Sequence, residues 1–525
     1  MTFTASKLLQ TPASNQWKQI GIRPHHGVDI PLFSLHSAQS CGIGEYPDLL
    51  PIVDWAAEVG LDVIQLLPLN DNGPESSPYS AISSFALNPL NLGLASLPHL
   101  DRMKSQVSEL QNLTNTQRID YPLIEEKRES FLREYFKTAG HLIAASPDYL
   151  SFLSRNPWLE NYALFNALKI ETKWQSWEEW KPEWRDPTPQ SYQLLLKSYR
   201  DEIIYHSVIQ FLCFQQLNAV KKRAESKGVL LKGDIPILIN RESADVWRYR
   251  SNYRLDFTAG APPDMYNKEG QKWGFPLYNW DVLEQNDFEA WKQRLQVAER
   301  LYHLYRLDHI VGFFRIWAIP IDKTAKEGFF LPAEKEKWLP KGEKILNMML
   351  TNCAMLPIGE DLGTVPTEVR QALAKLGICG TKVMRWERMW EEDKRFIPVA
   401  DYPVCSMTTV STHDSDTLQL WWKNSPEDAQ TFATFKGWTY TLDLSPEHQR
   451  EILWDSHHSG SIFHINLLNE YLALIPNMTW PNPEDERINI PGLISDRNWT
   501  YRFRPSVEEI TSNAPLADLM RNLIS

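Results

Sequence analysis

Hydrophobic positions along this chain fall into short continuous runs separated by longer stretches of helical period. The runs are Val28–Leu35, Leu61–Leu69 (LDVIQLLPL), Gly228–Ile239 (GVLLKGDIPILI), Arg306–Phe314, Met355–Leu362, Ile378–Met384 and Thr408–Thr412, most of them rich in Val, Ile and Leu. Apolar residues at successive positions predict strands buried on both faces, as in a parallel sheet covered by helices. Between the runs, Tyr46–Gly60 places Leu49, Leu50, Val53, Ala56 and Ala57 at helical spacing, and Val369–Leu376 does the same with Val369, Ala372, Leu373 and Leu376. Strand and helix alternating over this length predict an α/β fold, either a (β/α)8 barrel or a doubly wound sheet.

One gap breaks the alternation. From Leu69 to Gly228 lie about 160 residues, far beyond the 2–6 residues of an ordinary strand-to-helix connection. Much of the gap is charged and helical in pattern, as in Tyr121–Ala139 and Arg200–Ser226. It reads as an inserted, mainly helical subdomain over about residues 88–226, on the loop face of a single unit spanning residues 1–525. The group Trp174, Trp177, Trp180 and Trp184 has the spacing of one helical face and reads as packing. Neither GxGxxG nor GxxxxGK[ST] occurs, so nucleotide chemistry lacks its usual signature.

Composition narrows the function class. Hydrophobic residues at 43% and charged residues at 23% are ordinary for a folded chain and exclude a disordered scaffold. With 54 Lys and Arg against 66 Asp and Glu, the net charge of −12 offers no general basic surface for nucleic acid or an anionic membrane. The cysteines (Cys41, Cys213, Cys353, Cys379, Cys405) are odd in number and scattered, without a CxxC pair, which fits a reducing, cytoplasmic setting. Met1–Arg23 lacks the apolar core of a secretory signal and reads as a loose terminus. No run approaches the roughly 18 apolar residues of a membrane span. The aromatic content is unusual: Trp 21, Tyr 19 and Phe 21. Aromatic faces pack against C–H surfaces while indole and phenol groups hydrogen-bond, a combination suited to sugar rings.

Several strand-like runs end in a carboxylate: Asp234 in KGDIPI, Asp308 in YRLDHIVG, Glu360 and Asp361 in PIGEDLG, Asp414 and Asp416 in STHDSD. In barrel enzymes working residues converge from the C-terminal ends of different strands. Converging acids beside His309 and His413 suggest either a metal site or glycosidic-bond chemistry, and neither HExxH nor an EF-hand loop supports the metal. Residues two apart on a strand face the same way, so Arg306 and Asp308 share a side. A guanidinium there favours the ionised carboxylate that a nucleophile needs. Glu360 and Asp361 must face opposite ways, and the spacing alone leaves open which one reaches the mouth.

Taken with SCGIGEYPDLL (Ser40–Leu50), SPYSAISSFALNPL (Ser77–Leu90), SADVW (Ser243–Trp247), GAPPDMYNKEGQKWGFPLYNW (Gly260–Trp280) and RINIPG (Arg487–Gly492) with Asn498–Trp499, these segments give the chain its likeness. It resembles the 4-α-glucanotransferases of the amylomaltase or disproportionating-enzyme type, glycoside hydrolase family 77, in order from about residue 28 to about 505. The resemblance implies a (β/α)8 TIM barrel and retaining chemistry. It implies Asp308 as nucleophile, Glu360 as general acid/base and Asp414 as transition-state stabiliser. It implies sugar contacts by Tyr79, Asp234, Gln271, Trp273, Arg306, His309, His413 and Asn489, with no organic cofactor and no catalytic metal. Partners are then α-1,4-glucans and maltooligosaccharides, with glucose as acceptor. The region of about 248–285, with its paired prolines and Tyr266, Trp273 and Tyr278, is expected to cover the acceptor side. The chain departs from the usual family pattern at Gly359, Ser411, Ser415, Ile488, Ile490 and Leu493, none of which removes a catalytic carboxylate. Two readings compete: an α-1,4-glucan hydrolase using the same acids, and a glucan-binding protein without activity.

Overall fold

Eight parallel strands form a barrel in the computed structural model, which describes residues 6–100, 102–263, 268–390, 392–493 and 495–525. They are β1 (His25–Ile30), β2 (Val63–Leu66), β3 (Leu230–Ile235), β4 (Leu304–Leu307), β5 (Leu356–Gly359), β6 (Gly380–Val383), β7 (Ser406–Thr409) and β8 (Phe463–Leu467). Pairing runs β5-β4-β3-β2-β1-β8-β7-β6. A parallel bridge between Ile358 and Cys379 joins the two ends, with the Gly359 N–H donating to the Cys379 carbonyl at 2.7 Å. Of the two α/β architectures open to the pattern, the closed barrel is therefore the one formed.

The strands are shorter than their apolar runs, for local reasons. Pro31 ends β1, and Leu32–Ser34 continues as a 3-10 turn. β4 begins two residues before the expected run and ends at Leu307, because His309 turns left-handed at φ 46° and Ile310–Phe313 coils into a 3-10 helix. β8 belongs to no expected run: FHINL interleaves buried His464 and Asn466 with apolar residues, and so lacks the continuous hydrophobic signature. The helix expected over Tyr46–Gly60 forms as a 3-10 turn and an α-helix, Leu49–Val59, stopped by Gly60 at φ 91°.

Between β2 and β3 lie the helices Lys104–Gln111, Tyr121–Tyr135, Pro147–Arg155, Trp158–Glu171, Pro189–Ser198 and Arg200–Lys227. The expected four-tryptophan helical face does not form. Lys173 and Trp174 are left-handed, Trp177 sits in a 3-10 turn, and Pro182 starts a separate turn holding Trp184. The rings pack all the same: Trp177 and Trp180 are buried, and Trp180 meets Trp184 edge-on. From Ser6 onward the amino-terminal segment is likewise ordered, contrary to expectation. Its helix Ser14–Ile20 plugs onto the barrel through Gln16, which donates to the Leu350 and Cys353 carbonyls at 2.7 Å, and through Trp17, which donates to the Gly377 carbonyl at 2.9 Å.

The Ser40–Leu50 segment is a structural clasp. Asp48 accepts from Ser37, Ser40 and the Glu45 N–H, while Glu45 pairs at 2.7 Å with Arg128 of the helix Tyr121–Tyr135. The fully buried Arg128 also donates to the Cys41 and Leu92 carbonyls, tying the helical stretch to the barrel. Replacing it by Met leaves a carboxylate and two carbonyls without their cation. Arg128→Met is expected to cost about 3–5 kcal/mol of stability, read as a lowered denaturation midpoint; an unchanged midpoint would remove the clasp.

Candidate active site

The C-terminal ends of β3, β4, β5 and β7 carry the acids. On β3 and β4 the register pairs Asp234 with Arg306. Arg306 Nη1 lies 2.9 Å from Asp234 Oδ2 and 2.8 Å from Asp308 Oδ1, bridging the two carboxylates as the shared strand face requires. Asp234 is buried, whereas the Asp308 side chain is 25% exposed and so can be reached from the mouth. Burial raises Asp234 above the usual carboxylate range, against the pull of Arg306 and the Tyr79 hydroxyl.

On β5 the register pairs Gly359 with Leu307. The next residues, Glu360 and Asp308, therefore stand side by side on neighbouring strands, whose spacing is about 4.8 Å. Glu360 Oε2 accepts from the His309 N–H at 2.9 Å and Oε1 from the Leu362 N–H at 2.8 Å. Burial pushes its carboxyl up to about 7; Arg306 opposes the rise and Asp308 adds to it. Asp361 faces away, accepting from the Thr381 N–H at 2.7 Å and pairing with Arg370. Of the two adjacent acids, Glu360 is thus the one at the mouth.

The loop after β7 brings His413 and Asp414. Asn489 donates to Asp414 Oδ1 at 2.6 Å, and His413 Nε2 is 3.4 Å from Asp414 Oδ2. Burial alone would raise Asp414, but His413 and Asn489 prevail and hold it at about 2, with 43% of the side chain exposed. Tyr79 closes the ring of contacts: its hydroxyl donates to Asp234 Oδ2 at 2.7 Å and lies 3.0 Å from His413 Nε2. Two of the positions that depart from the family pattern hold this loop. Ser411 donates to Glu470, and Ser415 accepts from Arg385 at 2.6 Å.

A small antiparallel sheet, Phe329–Leu331, Ile316–Pro320, Phe257–Ala261 and Gln271–Lys272, meets the site through Trp273, the residue after its last strand. Trp273 packs edge-on against His309 with ring centroids 5.0 Å apart and donates to Gln271 Oε1 at 3.0 Å. Burial lowers His309 to about 4, so its imidazole is neutral at pH 7. Tyr278, one of the aromatics of the expected cover, is buried against Tyr253 and Trp291. Tyr266 lies outside the described residues.

All the site residues read from the sequence thus join one contact network. Trp499, Arg385 and Arg487 are not among the site residues read from the sequence, and they belong to it. Trp499 is left-handed at φ 64° and lies 5.6 Å from the Tyr79 ring, while Arg487 pairs with Asp416 and donates to the Asn489 carbonyl at 3.0 Å. The signal for Trp499 and Arg487 was their place in the RINIPG and Asn498–Trp499 segments; Arg385 stood in no quoted segment. Chemically, the arrangement offers a half-buried carboxyl paired with a guanidinium, a second carboxyl beside it raised to about 7 and so able to hold a proton, and a third acid kept ionised.

The family described as 4-alpha-glucanotransferase matches residues 30–508. The chain is 46% identical over 522 residues to a 4-alpha-glucanotransferase of Chlamydia caviae, covering 98% of each, and 31% identical to one of Thermus thermophilus, covering 85% of this chain and 88% of that protein. Among solved structures, amylomaltase from Streptococcus agalactiae in complex with acarbose aligns at TM-score 0.82 and 24% identity, covering 96% of this chain and 99% of that one.

Proposed function

From the premise that this chain belongs to the 4-alpha-glucanotransferase family, we infer how its own residues perform the family's reaction. It is a transferase that moves α-1,4-glucan segments from a donor maltooligosaccharide to the 4-hydroxyl of an acceptor glucose or glucan. Asp308 attacks the anomeric carbon and forms a covalent glycosyl-enzyme, while Glu360 gives its proton to the departing glycosidic oxygen. The acceptor 4-hydroxyl then returns its proton to Glu360 and displaces Asp308, so two inversions retain the α configuration. Asp414 stays ionised against the positive charge that develops on the sugar ring. The observation that supports this best is that Asp308 and Glu360 directly follow registered residues of neighbouring strands, the placement that a retaining mechanism, with carboxyl groups roughly 5–5.5 Å apart, requires.

In this reading Arg306, His309, His413, Tyr79, Asp234 and Asn489 fix the acids and the sugar at the cleaved bond. Gln271 and Trp273 lie toward the acceptor, on a cover formed by about residues 248–285, and about residues 88–226 form an inserted helical subdomain. Substrates are maltooligosaccharides and α-1,4-glucans, with glucose as acceptor. Among the described residues no helix is long and apolar enough to cross a membrane. All the cysteines are free, which supports a reducing, cytoplasmic setting.

Incubation with pure maltotriose tests the reaction. Longer oligomers and free glucose at constant total reducing ends are expected. A steady rise in reducing ends without longer products would make it a hydrolase.

A further inference from the structure

Below the catalytic residues, one rung of the barrel interior is polar where branched apolar side chains are the rule. The register places Asp29 of β1 beside Gln65 of β2, and Gln65 beside Lys232 of β3. All three are buried. Lys232 Nζ donates to Gln65 Oε1 at 2.5 Å, and Gln65 Nε2 donates to Asp29 Oδ2 at 2.6 Å. The amide thus turns its carbonyl to the ammonium and its N–H to the carboxylate, aligned with a charge pair. Lys232 also donates to Met407 Sδ at 3.0 Å, and among the described residues Asp29 Oδ1 has no hydrogen-bond partner. A buried ion pair is often no better for stability than apolar residues of the same volume, so its presence asks for another reason.

The rung's ends lie under different parts of the site. Lys232 is two residues before Asp234 and faces the same way. The charged or titratable groups acting on Lys232 are Asp29, Asp234, Arg306 and Cys379. Those acting on Asp29 are His413, Lys232 and Asp234. Burial drives Asp29 up and Lys232 down, and their attraction opposes both. Burial would also lower His413, yet the carboxylates of Asp414 and Asp29 leave it raised against Arg306.

We propose that Asp29, Gln65 and Lys232 act as one positioning unit, the carboxylate end facing His413 and the ammonium end backing the Asp234–Arg306 clamp on Asp308. None of the three touches sugar; they act through His413, which lies against Asp414, and through Asp234. A buried charge deprived of its partner neutralises rather than remaining bare. Removing either end therefore removes both, and the variants cannot be additive.

Asp29→Asn, Lys232→Met and the double variant test this with maltotriose as substrate and with histidine-selective nitrogen labelling, His413 being assigned by its loss in His413→Gln. Each single variant is expected to lower kcat about tenfold with donor KM within about twofold. In each, the His413 resonance should titrate about half a unit lower than in the wild type. The double variant should be no slower than the slower single. Unchanged His413 titration in folded variants, or losses that multiply in the double, would overturn the proposal. If a charge variant does not fold, Gln65→Met keeps both titratable side chains and severs the bridge between them, so that each neutralises; the same lower titration is expected, and an unchanged one refutes. The proposal rests on the site reading above for the meaning of kcat, but the His413 titration does not. An active Asp308→Asn beside a shifted His413 would sink the site reading and leave the rung standing.

Discussion

Asp308→Asn is expected to abolish glucan transfer, by roughly 10⁴-fold or more in kcat, while the barrel stays folded. The substitution preserves shape and replaces the attacking oxygen with an amide that cannot form the glycosyl-enzyme. The fold does not depend on the lost charge. Arg306 keeps its second carboxylate, Asp234, at 2.9 Å, and the side chain at 308 is 25% exposed, so no bare buried charge results. The measurement is maltotriose turnover on protein shown by circular dichroism to be folded. Because a trapped intermediate needs Asp308, mass spectrometry of the quenched wild type should show an added glycosyl group that the variant lacks. Turnover within tenfold of wild type in the folded variant would take the nucleophile away from Asp308.

The acids were legible because each lies inside or just after a strand-like run, and strand ends are where a barrel exposes its chain. Arg306 and Asp308 could be paired from the period of a strand alone, and the 2.8 Å contact between them follows from that period. The choice between Glu360 and Asp361 could not be made that way. It depends on which neighbour each meets, namely the His309 N–H for one and the Thr381 N–H with Arg370 for the other, contacts set by strand register. β8 escaped notice because buried polar residues replace alternate apolar ones, and the polar rung of Asp29, Gln65 and Lys232 hid inside runs read as hydrophobic. The end of β4 was missed for a different reason: the left-handed turn at His309 that aims Asp308 and Glu360 together is made by a residue with no glycine to announce it. Long-range register and local backbone strain are what a single sequence conceals here, and both concentrate at the site.

Glu360→Gln should lower turnover of maltotriose by about 10²–10⁴-fold, and the choice of donor should expose the reason. A glycosidic oxygen leaves poorly without a proton; fluoride leaves without one. With α-maltosyl fluoride the variant is therefore expected to form its glycosyl-enzyme at a rate close to wild type, and azide, an acceptor that has no proton to lose, should then release it. The pH dependence follows from the same group. Glu360 is raised to about 7 by burial, so below that pH it holds its proton and can serve as acid, and above it the proton is gone. Wild-type kcat/KM for maltotriose should accordingly fall as pH rises through about 7, whereas the fluoride donor should show no such limb. Asp414, held at about 2, remains ionised across the whole range and contributes no limb there. If Glu360→Gln cleaved maltotriose within tenfold of wild type, or if the fluoride donor lost activity over the same pH interval, the proton would have to come from another residue, and the raised carboxyl would be only a consequence of burial.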